Sequence, residues 1–210
     1  MLNQWLLVTG LWAAYIAARL YLRAAPPSRA DRWLAPQRAR ATLTVGVVIG
    51  LSAMLQLFFP WLLLVLERNA TLIASGEWWR LVTALFVQDG GIAGSIFNLV
   101  SLLLIGRVAE HMWGARRWLV VFIVGGILSE IVALAWQPTG AGNSVANFSL
   151  AGAVSIVCVS SRRTWTIVAA GIALGASVAL LLLRDIHGAA ASIGAITGLV
   201  LIRFGRSRSG

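Results

Sequence analysis

The sequence predicts an all-α protein, a polytopic bundle of seven helices that lies in a lipid bilayer. Of the 210 residues, 59% are hydrophobic and only 11% are charged, and long apolar stretches recur along the chain. A soluble domain carries charge on about a quarter of its residues. About 20 consecutive apolar residues suffice for a helix to cross the hydrocarbon core. Seven such helices with short connections account for the length, so no separate soluble domain is expected.

The first predicted helix covers residues 5–22. This apolar run is longer than the core of a signal peptide and lacks an obvious small-residue cleavage site before Arg23, so we expect it to be retained. Pro26, Pro27 and Pro36 break the helical pattern in the arginine-rich segment that follows. Residues 1–40 are therefore expected to form one additional N-terminal transmembrane helix and an arginine-rich cytoplasmic loop.

Six further spans are predicted after this loop. They cover residues 41–66, 95–108, 118–136, 144–160, 164–183 and 186–202. Pro60 is expected to kink the first of these six, because proline lacks the backbone donor that a helix needs. Residues 67–91 are amphipathic and contain Trp78, Trp79 and Arg80, which are typical interfacial anchors. We expect this segment to lie partly in the membrane surface, and residues 205–210 to form a short basic cytoplasmic tail.

The charge pattern predicts the orientation. All 17 basic residues are arginine and the net charge is +10, which in a soluble protein would suggest a nucleic-acid partner. In a membrane protein, loops rich in Lys and Arg stay on the cytoplasmic side. If the arginine-rich loop is cytoplasmic and successive spans cross the membrane in opposite directions, only Arg68, Arg80 and Arg184 lie outside. The other 14 arginines then lie inside. We expect an outside N-terminus, a cytoplasmic C-terminus, the plasma (inner) membrane of a bacterium and no nucleic-acid partner.

Two of the predicted helices have faces of small residues, which let membrane helices approach closely. These residues are Gly142, Ala146, Ser149 and Ala153 near the fifth span, and Ala190, Ala191, Gly194, Ala195 and Gly198 in the seventh. Ser144 and His187 lie at the outer ends of the two faces. Close packing would bring them together as a nucleophile and its base. Alternatively, Ser144 caps a helix and His187 lies at the interface.

Four other polar or reactive residues admit simpler interpretations. His111 is expected on the cytoplasmic side, about 30 Å from Ser144, which leaves His187 as the candidate base. Cys158 is the lone cysteine, which excludes a disulfide framework or a cysteine metal cluster. Glu130 lies inside the fourth span, where it could gate substrate or tune His187, although a protonated or hydrogen-bonded structural carboxylate near the outer end is favoured. Asp185 near His187 could orient the imidazole, but it is interpreted as a boundary residue because side chains at i and i+2 of a helix diverge.

Four motifs, in order along residues 76–204, resemble the rhomboid family of intramembrane serine proteases. Residues 76–87 (GEWWRLVTALFV) are similar to the outer-loop signature around a Trp-Arg pair, and Asn98 matches an asparagine of the second core helix. Residues 106–117 fit the pattern G-x-x-x-E-x-x-x-G-x-x-R through Gly106, Glu110, Gly114 and Arg117. Residues 142–153 (GNSVANFSLAGA) are similar to the serine motif G-x-S-G-A-x-F-G-L-x-G-A.

The resemblance implies a six-helix core over residues 41–204 and assigns roles to individual residues. It implies Ser144 as nucleophile, His187 as general base, and the Asn98 side chain with the Ser144 backbone N–H as oxyanion donors. It implies neither metal nor cofactor, and requires no third, carboxylate member. The substrate implied is a transmembrane protein, cut near the outer leaflet where its helix unwinds.

The sequence departs from the family pattern at several positions. Gly94 stands where many members carry a histidine, while Val145 and Ser149 replace glycines of the serine motif. Ala189 and Ala190 are found after His187 where a glycine is common. The alternative function is therefore a rhomboid-like pseudoprotease that binds transmembrane helices without cleaving them. A small transporter is disfavoured, because neither discontinuous helices nor inverted repeats are visible.

Overall fold

The computed structural model describes residues 2–24 and 39–206, which form ten helices and two short strands. In chain order they are α1 (Leu2–Arg23), α2 (Arg40–Phe58), α3 (Trp61–Leu66), β1 (Arg68–Asn69), α4 (Ala70–Ala74), α5 (Arg80–Thr83), α6 (Gly91–Trp113), α7 (Ala115–Trp136), β2 (Thr139–Gly140), α8 (Ser144–Val159), α9 (Thr164–Leu182) and α10 (Ile186–Arg206). Helix α6 contains a π-helical turn at Leu102–Gly106.

Seven of these helices are long, which confirms the predicted helix bundle within the described residues. Five of them, α1, α2, α6, α7 and α9, are long and apolar enough to cross a membrane. The apolar parts of the other two, Ser144–Val159 and Ile186–Leu201, are shorter. At 1.5 Å per residue, α8 is roughly 24 Å long, less than the hydrocarbon thickness of about 30 Å. At least one end of α8 therefore lies below the membrane surface.

Most predicted spans differ from the structure by a few residues at one or both ends, and two differ more. The span predicted over residues 41–66 is interrupted, since α2 ends at Phe58 and α3 begins at Trp61. Pro60 lies at this break, where its missing N–H and its ring prevent a continuous helix. The span predicted over 95–108 extends as α6 over Gly91–Trp113, because less hydrophobic residues at both ends continue the helix.

Residues 59–90 connect α2 to α6 at the end of the bundle where α1, α8 and α10 begin, hereafter the Ser144 end. Strand β1 pairs antiparallel with β2, with Arg68 opposite Gly140 and Asn69 opposite Thr139. Arg80 donates to the backbone carbonyls of Leu64 and Glu67, at 3.0 Å each. The motif at residues 76–87 thus ties this segment to the end of α3, and the strand pair ties it to the loop before Ser144.

The motif at residues 106–117 joins α6 to the start of α2. The Glu110 carboxylate accepts hydrogen bonds from the backbone N–H groups of Ala41 and Thr42 and from the Thr42 hydroxyl. A methyl group at Gly106 would lie 2.7 Å from the Thr42 side chain. Glutamate and glycine are thus needed here because two helices meet closely and the first N–H groups of α2 need acceptors.

Helix α8 lies at the centre of the bundle, with α1, α7, α9 and α10 packed around it. It is buried along nearly its whole length. Helix α1 packs along α9 and against α8, and its Ala14, Ala17 and Ala18 are fully buried. The division of the chain at residue 40 and the basic tail stay predictions, and residues 25–38 of the arginine-rich loop and 207–210 of the tail lie outside the described residues.

Candidate active site

Ser144 and His187 meet at the starts of α8 and α10. Ser144 Oγ lies 3.0 Å from His187 Nε2. The His187 ring also packs against the Phe148 ring, one turn along α8 from Ser144, with 4.9 Å between centroids. The side chain of His187 is 18% exposed. The contact predicted from the two small-residue faces is therefore present, between partly buried groups.

The close approach of α8 and α10 explains this contact. A methyl group at Gly194 would overlap the carbonyl oxygen of Ser149, and one at Gly198 would lie 2.8 Å from that of Ala153. Ser149 Oγ donates to the carbonyl of Ala190 across the same interface at 3.0 Å. The two helices thus touch backbone to backbone, as small residues allow.

The small residues of α8 that contact α10 are not all the ones predicted. Gly142 lies in the loop before the helix, and Ala146 is directed toward Gly126 of α7. Gly152 belongs to the interface instead, because a methyl group there would overlap the carbonyl of Ala191. The predicted spacing of three and four residues identified the correct helix pair, but the crossing of the helices decides which small residues meet.

Asn98 lies beside Ser144 in a network of amide side chains. Its Nδ2 donates to Gln88 Oε1 at 2.8 Å, and Gln88 Nε2 donates to Asn143 Oδ1 at 2.9 Å. The backbone carbonyl of Asn98 accepts from Asn147 Nδ2 at 2.9 Å. An amide nitrogen carries two hydrogens, so the bond to Gln88 leaves Asn98 with a second N–H.

The space between Asn98 and Ser144 is bordered by Gly142. A methyl group at Gly142 would lie 3.3 Å from Asn98 Nδ2 and 3.6 Å from Ser144 Oγ. Gly142 has φ of +143°, a conformation that residues with a Cβ rarely adopt. Ser144 is the first residue of α8, where backbone N–H groups have no acceptor within the helix. Two potential donors, one from a side chain and one from the backbone, thus border the same space.

The departures from the family pattern are accommodated locally. Ser149, in place of a glycine, is buried against Gly125 of α7, which lacks the Cβ that would clash with it. Val145 is also buried, with 1% of its surface exposed. A methyl group added at Gly94 would have no neighbour within 4 Å. The side chain missing at Gly94 therefore leaves open space rather than a collapsed site.

The interpretation of Asp185 as a boundary residue without contact to His187 is wrong. Asp185 Oδ1 lies 2.7 Å from His187 Nδ1 and accepts the His187 backbone N–H at 3.0 Å. The argument that side chains at i and i+2 diverge applies inside a helix, whereas Asp185 precedes α10, which begins at Ile186. The signal in the sequence was an aspartate just before a helix, the preferred N-cap position.

Glu130 has a structural partner near the Ser144 end. Its carboxylate forms a buried ion pair with Arg68, which also donates to the carbonyls of Gln137 and Thr139. This supports the favoured interpretation of a hydrogen-bonded structural carboxylate. That Arg68 lies on the outer side of the membrane stays a prediction, and its side chain is only 2% exposed. The pair therefore fastens β1 and the loop before Ser144 to α7.

Several residues at the site were missed by sequence reasoning. Gln88, Asn143 and Asn147 hold Asn98, and Asn3 at the start of α1 contacts Asp185. Asn143 and Asn147 carried a weak signal, as two amides four residues apart in an apolar region. In residues 2–24 and 39–206 no group of three His, Cys, Asp or Glu side chains is arranged to hold a metal ion. That the site needs neither metal nor cofactor stays a prediction.

The fold and the site define a class of protein: a multi-pass integral membrane helix bundle that holds a serine and a histidine in contact where two small-residue helices cross. The rhomboid domain model matches residues 75–208, and the chain belongs to the rhomboid family. The matched region contains α5 to α10 and begins after α4, so α1 lies outside it.

Curated relatives agree with this assignment. The chain is 38% identical over 97 residues to rhomboid protease GluP of Bacillus subtilis, and 34% identical over 118 residues to the rhomboid-family protein YdcA of the same organism. It is 30% identical over 106 residues to RHOMBOID-like protein 5 of Arabidopsis thaliana. These matches cover 46%, 51% and 49% of this chain but only 19%, 59% and 32% of the relatives. No solved structure matches the chain.

Proposed function

We propose that this protein is an intramembrane serine protease that cleaves transmembrane substrates with Ser144 as nucleophile and His187 as general base. The observation that carries the proposal is the 3.0 Å contact between Ser144 Oγ and His187 Nε2. A serine hydroxyl is a weak nucleophile unless a base takes its proton. Membership of a family whose relatives include a protein named as a rhomboid protease supports the same chemistry.

The reaction proceeds in two acyl-transfer steps. Ser144 Oγ attacks the carbonyl carbon of the scissile peptide while His187 Nε2 accepts the hydroxyl proton. The tetrahedral oxyanion receives hydrogen bonds from Asn98 Nδ2 and the Ser144 backbone N–H. His187 then gives its proton to the departing amine, which leaves Ser144 acylated. Water deprotonated by His187 attacks the ester, and the carboxylic product leaves as Ser144 regains its proton.

The substrate in this proposal is a single-span membrane protein. The carbonyl of a helical peptide bond is engaged by an N–H four residues away, so the substrate helix must unwind before attack. A groove of about 480 Å³ between α2 and α6 supports access from the membrane. It is lined by Met54 and Leu99 and reaches Gln88, the partner of Asn98.

The proposed orientation places the Ser144 end outside the cytoplasm. With the N-terminus outside, only Arg68, Arg80 and Arg184 lie on that side, against 14 arginines on the other. Arg68 forms an ion pair with Glu130, and Arg80 donates to backbone carbonyls. These two arginines therefore stabilise the fold through these contacts. Cleavage is therefore proposed near the outer leaflet of a bacterial plasma membrane.

A fluorophosphonate probe tests the activity directly. We expect purified wild-type protein to be labelled at Ser144, and Ser144→Ala and His187→Ala to abolish labelling. Ser160→Ala at the other end of α8 and His111→Gln at the other end of α6 are matched controls, which we expect to label at the wild-type rate. Labelling that survives His187→Ala undiminished would show that another group activates Ser144.

The second candidate function is binding of transmembrane helices without cleavage. The open space at Gly94 and the buried Val145 in place of a motif glycine favour it. A wild-type protein that stays folded and binds a transmembrane peptide, but is neither labelled nor able to cleave it, would establish this function in place of the protease.

A further inference from the structure

Both nitrogens of the His187 imidazole have a hydrogen-bonding partner. Nε2 faces Ser144 Oγ at 3.0 Å, and Nδ1 faces Asp185 Oδ1 at 2.7 Å. In a neutral imidazole one nitrogen donates and the other accepts. The partner of Nδ1 therefore decides whether Nε2 can act as a base toward Ser144.

Asp185 is itself fixed at two points besides the imidazole. Its Oδ1 accepts the His187 backbone N–H at 3.0 Å, as an N-cap of α10. Its Oδ2 accepts from Asn3 Nδ2 of α1 at 3.1 Å. The preceding Arg184 has φ of +54°, which is unusual for a residue with a side chain. This left-handed residue turns the chain between α9 and α10 so that the carboxylate faces the imidazole.

Asp185 is ionised in this setting. Burial raises the pKa of its carboxyl, but the hydrogen bond and the electrostatic attraction of the His187 side chain, with hydrogen bonds from the His187 backbone and from Asn3, outweigh burial and hold the pKa below its ordinary value. An ionised carboxylate can only accept hydrogen bonds. His187 Nδ1 must therefore carry the hydrogen, and Nε2 has its lone pair directed at Ser144.

We propose that Asp185 is a positioning residue that completes a Ser144–His187–Asp185 triad, with Asn3 of α1 holding Asp185 in place. The proposal rests on the protease function proposed above. A carboxylate beside Nδ1 holds the imidazole in the reactive tautomer and stabilises the imidazolium formed when His187 takes the proton of Ser144. The resemblance to the family implies Ser144 and His187 but requires no such carboxylate, so the role of Asp185 is inferred from the geometry of this structure.

Helix α1 thereby becomes part of the active-site framework, although it precedes the region that matches the rhomboid domain. Helix α1 also passes close to Phe148. A methyl group added at Gly10 of α1 would lie 3.9 Å from the Phe148 ring, which packs against His187. Helix α1 thus reaches the surroundings of the imidazole through Asn3 and Asp185 and lies near Phe148 as well.

The first test compares the rate of fluorophosphonate labelling in Asp185→Asn and wild type. Asparagine caps a helix as well as aspartate, so the variant is expected to fold. Misplacement of the base by about 1 Å costs on the order of a hundredfold in rate, and we expect a loss of that size. Glu67→Gln, which makes the same acid-to-amide change at a half-buried residue just before β1, is the control for the loss of a carboxylate at the Ser144 end.

The second test reports on the imidazole itself. Only two histidines are present, His111 and His187, so ¹⁵N-histidine NMR gives two sets of signals that His111→Gln assigns. We expect His187 to be the Nδ1–H tautomer in the wild type and to lose that preference in Asp185→Asn. An Nε2–H tautomer in the wild type, or an unchanged tautomer in Asp185→Asn, would overturn the proposal.

Asn3→Ala tests the contribution of α1, with Gln4→Ala as the exposed neighbouring control. We expect Asn3→Ala to slow labelling about tenfold. This is the lower end of the loss seen when a residue that orients a metal-binding histidine is removed, and Asn3 likewise orients His187 through Asp185. Wild-type labelling rates in both Asp185→Asn and Asn3→Ala would reject the triad while leaving the protease function intact. Absence of labelling in the wild type would instead reject the protease function, and the tautomer would still report on Asp185.

Discussion

At the residue scale, the chemistry proposed for Ser144 depends on how its neighbours are held. Asn98 is oriented by Gln88, whose own backbone N–H donates to Gln56 Oε1 at 2.9 Å while its carbonyl accepts from Gln56 Nε2. This links α2 to the oxyanion side of the site. A donor fixed before the reaction stabilises developing charge without reorganisation.

The first prediction concerns Asn98. Replacement Asn98→Ala removes the proposed oxyanion donor, and we expect turnover of a transmembrane substrate to fall about a hundredfold or more. Ser95→Ala on the same helix is the control, since its hydroxyl donates only to the Gly91 carbonyl. The measurement is kcat in detergent or liposomes. An unchanged kcat in Asn98→Ala would exclude Asn98 from the oxyanion site.

The second prediction concerns the pH dependence of stability. The folded-state pKa of Asp185 is lowered, so its ionised form stabilises the fold above the ordinary pKa of about 3.9, and this stabilisation is lost as the pH falls through the lower folded value. Near neutral pH we expect the Tm of the wild type to be higher than that of Asp185→Asn. Below about pH 4 we expect this difference in Tm to shrink. A difference that grows in acid would contradict the ionised carboxylate.

At the element scale, the site depends on the crossing of α8 and α10. Gly194 and Gly198 lie where the backbone of α8 approaches most closely, and Gly152 plays the same role from the other helix. Glycine is required here for the absence of a Cβ rather than for backbone freedom, because all three residues lie in helices. Any side chain would separate the helices and move His187 away from Ser144.

The third prediction tests this crossing. We expect Gly194→Leu and Gly198→Leu to lower Tm and to abolish labelling of Ser144, since overpacking costs about 1–3 kcal/mol or more and displaces the imidazole. Leu199→Ile on the exposed face, where Leu199 is 48% exposed, is the matched control and should behave as wild type. Equal tolerance at the three positions in a detergent melting assay would contradict the close helix pair.

At the scale of the whole molecule, two separate sets of contacts stabilise the surroundings of the Ser144–His187 pair, hereafter the dyad. The ion pair of Arg68 and Glu130 fixes the connecting segment to α7, and α1 packs on α9 so that Asn3 reaches Asp185. Removing one member of a buried ion pair costs about 3–5 kcal/mol. The site is therefore assembled by the full bundle and not by α8 and α10 alone.

The fourth prediction tests the orientation. In a Cys158→Ala background, a membrane-impermeant maleimide applied to intact cells should label Arg184→Cys but not Arg163→Cys, because both side chains are exposed at opposite ends of α9. Permeabilised cells should show labelling of both. The opposite pattern in intact cells would place the Ser144 end in the cytoplasm.

The sequence by itself determined the helix bundle and the two helices that carry the dyad. Span length and small-residue spacing are properties of consecutive residues, so they can be read without knowing which helices are neighbours. The pairing of Ser144 with His187 followed because only one of the two histidines was expected on the same side as the serine. Segment boundaries were less well predicted, as the break at Pro60 and the longer α6 demonstrate.

Only the tertiary structure decided what surrounds the dyad. Asn3 and Asp185 are 182 residues apart in the chain, and Gln88 and Asn143 are 55 apart, yet each pair shares a hydrogen bond. A side-chain hydrogen bond depends on distances of about 3 Å and on direction, which follow from how helices cross and turns bend. No periodicity encodes these quantities, so the carboxylate behind His187 and the amide behind Asn98 emerge only when the helices are packed.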